Sequence, residues 1–367
     1  MLYNFKPLGN AGFRFTFLAP ESEAFHAFQN DWTDCPEVEF IPVPVKNHRF
    51  SLWHAVRQTL KTKRYSLLHS QGFRAGTETE IGNFFARIPH IVTLHDVINP
   101  FNQVPGRFKG LKKIVASFFA RRASVIIPVS NDCRDIYLRN FPLLKIGPCK
   151  ISVIINGVPV DRLLASRSAF AASPQMASLR ERLPIEQGVV LGGFFGRFMP
   201  EKGIKVLLDA LTILSRKGYR DRFCLLATKD PHGYRGETIR AVQENPDISG
   251  MVHFIDPVSD IVPLLTQVDF LVTPSLWEAC PILPMEAMVL GVPVIGSDCP
   301  GLREVLRDTP SLTPPKDNPG ALANAIVEFI ENPLTEQAKT FEAEAQKRFN
   351  VERAATELLN LYEKVAS

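Results

Sequence analysis

Of the 367 residues, six are cysteines, and none of the six forms a Cys-x-x-Cys pair. A zinc ribbon or a disulfide framework is thereby disfavoured. Cys35, Cys133, Cys149, Cys224, Cys280 and Cys299 each lie in or beside an apolar stretch, which predicts reduced core thiols in a cytosolic protein. Long apolar runs are also lacking. Runs such as Ser124–Val129 and Phe270–Val272 fall far short of the roughly 18 residues a membrane-spanning helix needs. The opening MLYNFKPLGN carries a proline and a glycine where a signal peptide would have an apolar core, so secretion is not expected. Neither a GxxxxGK[ST] phosphate loop nor a DxD carboxylate pair occurs, which removes the Walker-type nucleotidases and gives no expectation of a metal bridging a diphosphate.

What is present is ordinary for a folded protein: 45% hydrophobic, 22% charged, with a mean hydropathy of +0.00. The length suggests about two domains. A formal charge of +4 conceals an asymmetry. Residues 1–170 hold 22 Lys and Arg against 12 Asp and Glu, while the remainder holds 20 against 26. A basic half facing an anionic partner or membrane surface is one consequence. Nucleic acid is not expected, since no recognition motif accompanies the charge.

Runs of continuous hydrophobicity recur between amphipathic stretches, as in strands buried on both faces of a parallel sheet. In the first half they are Phe13–Leu18, Val38–Val43, Ser66–His69, His90–Leu94, Ser124–Val129 and Lys150–Ile155. Residues 164–184 are Ala- and Ser-rich and read as a connection. Then follow Gly188–Phe195, Phe223–Ala227, Val252–Ile255, Phe270–Val272 and Val292–Gly296. The expectation is α/β, with two Rossmann-like doubly wound domains, residues 1–165 and 166–345, and a terminal helix within 346–367.

Ligands of such sheets bind beyond the carboxyl ends of the strands. After Phe270–Val272 comes a Pro-Ser turn, then Glu278, then Pro284 at an expected first helical position with Glu286 in the first turn and Gly291 at the end. Backbone N–H groups at a helix start suit a phosphate, and carboxylates accept hydrogen bonds from sugar hydroxyls. A solvated turn glutamate and a carboxylate that merely complements the helix dipole would show the same spacing. After Gly188–Phe195, Arg197 and Lys202 lie in a loop that precedes an apolar helix at Ile204, Leu207, Leu208, Leu211 and Leu214. Two such cations can neutralise a pyrophosphate, or simply be solvated.

GRFMPEKG at 196–203, the Glu278 and Glu286 pair, and EAMVLGVPVIGSDCPGLREVL from Glu286 resemble the retaining glycosyltransferases of family 4, which have the GT-B fold. VTLHD at 92–96, PVSNDCRDIYLRNF at 128–141, INGVPVDRL at 155–163 and RFNVERAATELLNLYEKV at 348–365 extend the resemblance over nearly the whole chain. It implies two Rossmann-like domains facing a cleft, with the terminal helix packing back on the first. It implies transfer of a sugar from a UDP- or GDP-type nucleotide donor to a glycan or lipid-linked acceptor, without a metal or a cofactor. Arg197 and Lys202 would hold the diphosphate, Glu286 the ribose and Glu278 the donor sugar. Ile282 and Leu283 would line the donor site, Ile255 and Pro257 would flank the base, and His95 would face the anomeric centre. A catalytically silent partner subunit or a sugar-nucleotide epimerase on the same fold are the alternatives. Two departures stand out. Ala279, Cys280 and Pro281 follow Glu278 where many members carry glycine or an aromatic residue, and Phe13–Leu18 resembles the family's second strand, as if the first strand and its glycine-rich loop were missing. Six cations of 107–122 interleave with Leu111, Ile114, Val115, Phe118 and Phe119, a composition that suits either an anionic membrane interface or a sheet-covering helix with a basic outer face.

Overall fold

The structure, a computed structural model, describes residues 12–30, 32, 38–44, 52–100, 109–146, 148–173, 179–183, 185–228 and 235–366. The chain divides into two compact units, one of Met1–Asn156 with Val351–Ser367 and one of Gly157–Asn350. The sequence placed the boundary at 165. The helix Val160–Ala171 belongs instead to the second unit, where it packs against the helices Val262–Leu265 and Leu283–Val289.

The first unit has β1 (Phe15–Pro20) and β2 (Val38–Val43) as one parallel pair, and β3 (Leu68–Gln71), β4 (His90–Leu94), β5 (Val125–Pro128) and β6 (Lys150–Ile151) as a parallel sheet in that order. Among the described residues nothing joins β1 to β3 by a ladder, so β1 pairs with β2 alone. The expectation for residues 1 to 11 lies outside the described residues. Strand ends also differ from the sequence reading. Pairing of Leu68 with His90 shifts β3 two residues later, and β6 keeps regular geometry only to Ile151, although Ser152 and Ile154 still donate backbone hydrogen bonds to Ile126 and Pro128. The helix Val351–Ala366 contributes Ala354, Leu358 and Tyr362 to one core with Trp32, Ile91, Val125 and Ile127. Its stripe at i, i+4, i+8 accounts for this docking, since Leu358 alone would otherwise expose apolar surface worth about 1.5–3 kcal/mol.

The second unit is a five-stranded parallel sheet ordered β11-β10-β7-β8-β9, with β7 at Val190–Phe194, β8 at Phe223–Thr228, β9 at Val252–Ile255, β10 at Phe270–Thr273 and β11 at Val294–Gly296. The helices Ile204–Leu214 and Pro319–Glu331 pack together over a core of Phe198, Leu207, Leu211, Phe223, Phe270 and Phe329. From β7 the chain builds outward on one side through β8 and β9, then returns to the other side with β10 and β11. The reversal lies between β7 and β10, and the crevice beyond their carboxyl ends is where doubly wound sheets receive ligands.

Candidate active site

Arg197 and Lys202 follow β7, and Glu278, Ile282, Leu283 and Glu286 follow β10, so the sheet order alone gathers them at the same switch point. Lys202 closes a single 3₁₀ turn, Pro200–Lys202, and Gly203 then takes a left-handed conformation (φ 69°) to start the next helix. A side chain at Gly203 would meet the carbonyl oxygen of Pro274 at 1.9 Å. Only glycine satisfies both the dihedral and the contact. Gly301 does the same from the other side: φ is 76°, and an added Cβ would lie 2.4 Å from the Ala279 carbonyl oxygen. The turn carrying Glu278 is thus held between two backbone approaches that tolerate no Cβ.

Within it, the Lys202 Nζ donates to Glu278 Oε1 at 2.7 Å, and Ser275 Oγ donates to the same oxygen at 2.7 Å. The Glu278 side chain is 9% exposed and that of Lys202 24%. Ser297 Oγ donates to the Ser275 carbonyl, fixing the serine in turn. Backbone N–H groups of Leu276 and Trp277 reach the Glu201 carbonyl, and the Lys316 ammonium stands 3.8 Å from the centre of the Trp277 ring. These contacts turn the two sequence candidates into a charge pair. Arg197 is exposed and forms no ion pair among the described residues, so its guanidinium is available to an anionic ligand.

Glu286 is the fourth residue of the short helix Leu283–Val289, preceded by Ile282 at its cap. Pro284 therefore stands at the second helical position, one later than the sequence suggested, and Gly291 ends the turn with φ 72°. Burial, followed by the nearby Asp260 carboxylate, pushes the Glu286 carboxyl above the ordinary 4.5. Asp260 is itself held by Ser166 Oγ and the Val262 N–H. Thr273 at the end of β10 has a buried hydroxyl without a partner. Ile255 ends β9, and with Pro257, Leu179, Arg182, Phe254 and Leu264 it lines a hollow of about 420 Å³.

In the first unit, His95 follows β4. Its Nε2 pairs with Gln71 Oε1 at the end of β3, which makes Nε2 the protonated nitrogen and leaves Nδ1 an acceptor. Nδ1 is buried with no partner. Burial lowers the imidazole to about 3, so it is neutral at physiological pH. Sequence reading missed Gln71, Ser275, Ser297 and Asp260. Ser275 and Gln71 do sit at strand exits, a signal that could have flagged them; Ser297 and Asp260 declare themselves only through their contacts.

Among the described residues no three His, Cys, Asp or Glu side chains cluster as a metal site, and the described Cys133, Cys149, Cys224, Cys280 and Cys299 are free thiols. No helix among them is long and apolar enough to cross a membrane.

Two family models match in tandem, Glycosyltransferase Family 4 over residues 6–162 and Glycosyl transferases group 1 over residues 190–332. The chain belongs to the family 4, group 1 glycosyltransferases. As a member it is a retaining enzyme that draws its sugar from a nucleotide donor. O-antigen chain mannosyltransferase B of Escherichia coli is 26% identical over 345 residues, covering 86% of this chain and 83% of that protein. The phosphatidyl-myo-inositol mannosyltransferase of Mycobacterium leprae is 31% identical over 221 residues, 58% of this chain and about half (54%) of its own length. Among solved structures, the Anabaena protein HepE in complex with UDP superposes with a TM-score of 0.76 at 20% identity, covering 96% of this chain and all of that one. A glycosyltransferase from Rickettsia africae gives 0.78 at 18%, with 99% and 93% covered. Those likenesses establish the GT-B fold for this glycosyltransferase.

Proposed function

We propose that the switch point of the second unit binds the nucleotide sugar and that this glycosyltransferase passes the sugar to a glycan or lipid-linked hydroxyl in the synthesis of cell-surface polysaccharide. The observation that carries the reading is the convergence of Arg197, Lys202, Glu278 and Glu286 beyond the carboxyl ends of β7 and β10. Arg197 and Lys202 supply the positive charge that the diphosphate acquires a need for as the glycosidic bond breaks. Fixed cations at a departing oxyanion stabilise the transition state more than the ground state, because their dipoles and charges need no reorganisation. No metal or additional cofactor enters this scheme. Glu278 orients Lys202 and accepts hydrogen bonds from the sugar, while Glu286 accepts from the ribose. Ile282 and Leu283 shape the donor site, and Ile255 and Pro257 border the base. His95, held by Gln71, is the first-unit residue that the family resemblance assigns to the transferred sugar.

The acceptor class rests on the relatives, whose names place them on O-antigen chains, on phosphatidyl-myo-inositol and on a diphosphoundecaprenol-linked sugar. We assign the enzyme to the cytoplasm, at a membrane surface where it would reach such acceptors. The test is thermal unfolding of the purified chain with UDP, GDP and ADP and with their hexose conjugates. A ligand at 100 times its dissociation constant adds about 2.7 kcal/mol. Stabilisation by one nucleotide, followed by product of unchanged anomeric configuration on NMR, is expected. Binding without any transfer, to acceptor or to water, would identify a silent partner subunit instead.

A further inference from the structure

The basic helix Lys109–Ala120 of the first unit packs the wrong way round for an ordinary sheet-covering helix. Its inward stripe is small: Ser117 and Ala120 are each 2% exposed, and Lys113 points toward the body, where its Nζ meets Asn140 Oδ1 at 2.9 Å. Four of its five large apolar side chains face solvent instead, while Phe119 is half-buried. Leu111, Ile114, Val115 and Phe118 recur at i, i+3, i+4 and i+7 and are 60, 57, 46 and 42% exposed. A stripe of that spacing normally faces a core. The adjacent helix Phe73–Gly82 packs on this one and leads into Phe84 and Phe85, 38 and 78% exposed. Six of the eight large hydrophobic side chains exposed among the described residues therefore sit on this helix and in the turn that follows its neighbour. Scattered exposed leucines are normal, but a contiguous apolar patch marks an interaction surface.

The rim of the patch is cationic. The Arg121 guanidinium lies 5.2 Å from the centre of the Phe118 ring and that of Arg57 5.7 Å from Phe85, while that of Arg122, 4.7 Å from Phe84, also faces the buried Glu80 carboxylate at 3.6 Å. The helix itself has no acidic residue. We propose that this face, with Leu111, Ile114, Val115, Phe118, Phe84 and Phe85 inserted, docks the protein on an anionic lipid bilayer. A second copy of the chain is disfavoured as occupant, since a two-fold contact through the patch would set like charges against one another. A bilayer of anionic headgroups over an apolar interior satisfies both components at their respective depths. The inference does not depend on the roles given to the donor-site residues.

The experiment is vesicle flotation of the full chain without substrate, using phosphatidylcholine alone and phosphatidylcholine mixed with phosphatidylglycerol. Binding to the mixed vesicles only, weakened by salt, is expected. Arg57→Gln and Arg121→Gln should each lower the partition about fivefold, and Leu111→Ser, Ile114→Ser and Phe118→Ser each roughly tenfold. Nucleotide-induced thermal stabilisation in these variants shows that they fold. Ile114→Trp supplies a second readout: its emission should shift to the blue on vesicles and be quenched by lipids brominated on the acyl chain. Equal binding to neutral vesicles, no binding, or an unquenched tryptophan would overturn the proposal. So would sedimentation showing that the serine variants dissociate a dimer while vesicle binding is unchanged.

Discussion

Removing the Lys202 ammonium affects both stability and chemistry, and the structure allows the two to be separated. Lys202→Met leaves the Glu278 carboxylate, 9% exposed, with Ser275 as its remaining side-chain donor. Breaking a buried ion pair from one side costs about 3–5 kcal/mol. Because Lys202 is 24% exposed and water screens part of the pair, we expect roughly 2–3 kcal/mol. Transfer should fall by a further factor of about 100 to 1,000, the usual effect of deleting one fixed stabiliser of a developing oxyanion. Adding Glu278→Gln removes the stranded charge, so the double variant should regain stability to within about 1 kcal/mol of wild type while remaining inactive. Glu278→Gln alone frees Lys202 from its partner. It should bind nucleoside diphosphate as tightly as wild type or more so, while losing affinity for the intact nucleotide sugar. Urea unfolding, calorimetric titration with both ligands, and initial rates at saturating donor give all the quantities. A Lys202→Met protein as stable as wild type, or a double variant that recovers transfer, would refute the reasoning.

Gly203→Ala should cost about 3 kcal/mol or more in urea unfolding and abolish donor-induced stabilisation, since left-handed strain adds to the contact with Pro274; Gly218→Ala, with φ 85° but open space around it, should cost only about 1–2 kcal/mol. Glu286→Gln should weaken nucleoside diphosphate binding at neutral pH. In the wild type that binding should fade as pH drops through a carboxyl value above 4.5, because the raised value means protonation begins earlier than in a free glutamate. The same shift means that the protonated Glu286 carboxyl contributes stability that is present below its unfolded value and lost as pH rises through the folded one, so the variant should be slightly more stable at pH 7. His69 and His95, both lowered to about 3 by burial, stay neutral in the folded state while the unfolded chain takes up protons below about 6.5. Stability should then fall as pH drops from 6.5 toward 3, by on the order of 1 kcal/mol per pH unit for each imidazole, and His69→Gln should flatten that slope in a pH series of urea transitions.

Local pattern was enough for much of this molecule. Continuous apolar runs such as Ser124–Val129 and Phe270–Val272 read as strands covered on both faces, and the stripe Ile204, Leu207, Leu211, Leu214 as a helix with one buried side. Strand exits then pointed to Arg197, Lys202, Glu278 and Glu286, because loops at those exits are where a parallel sheet leaves backbone and side chains free for a ligand. Tertiary structure decided what periodicity does not encode. The reversal of strand order at β7 is what brings loops 76 residues apart together, and only their apposition makes Lys202 and Glu278 a pair. The glycines at 203 and 301 are ordinary turn residues in the sequence; the approach of Pro274 and Ala279 makes them obligatory. The basic helix shows the limit most plainly. Its sequence has one apolar face and one charged stripe, but which face meets the protein depends on the shape of the surface beneath, and that surface accepts Ser117 and Ala120 rather than Leu111 and Phe118.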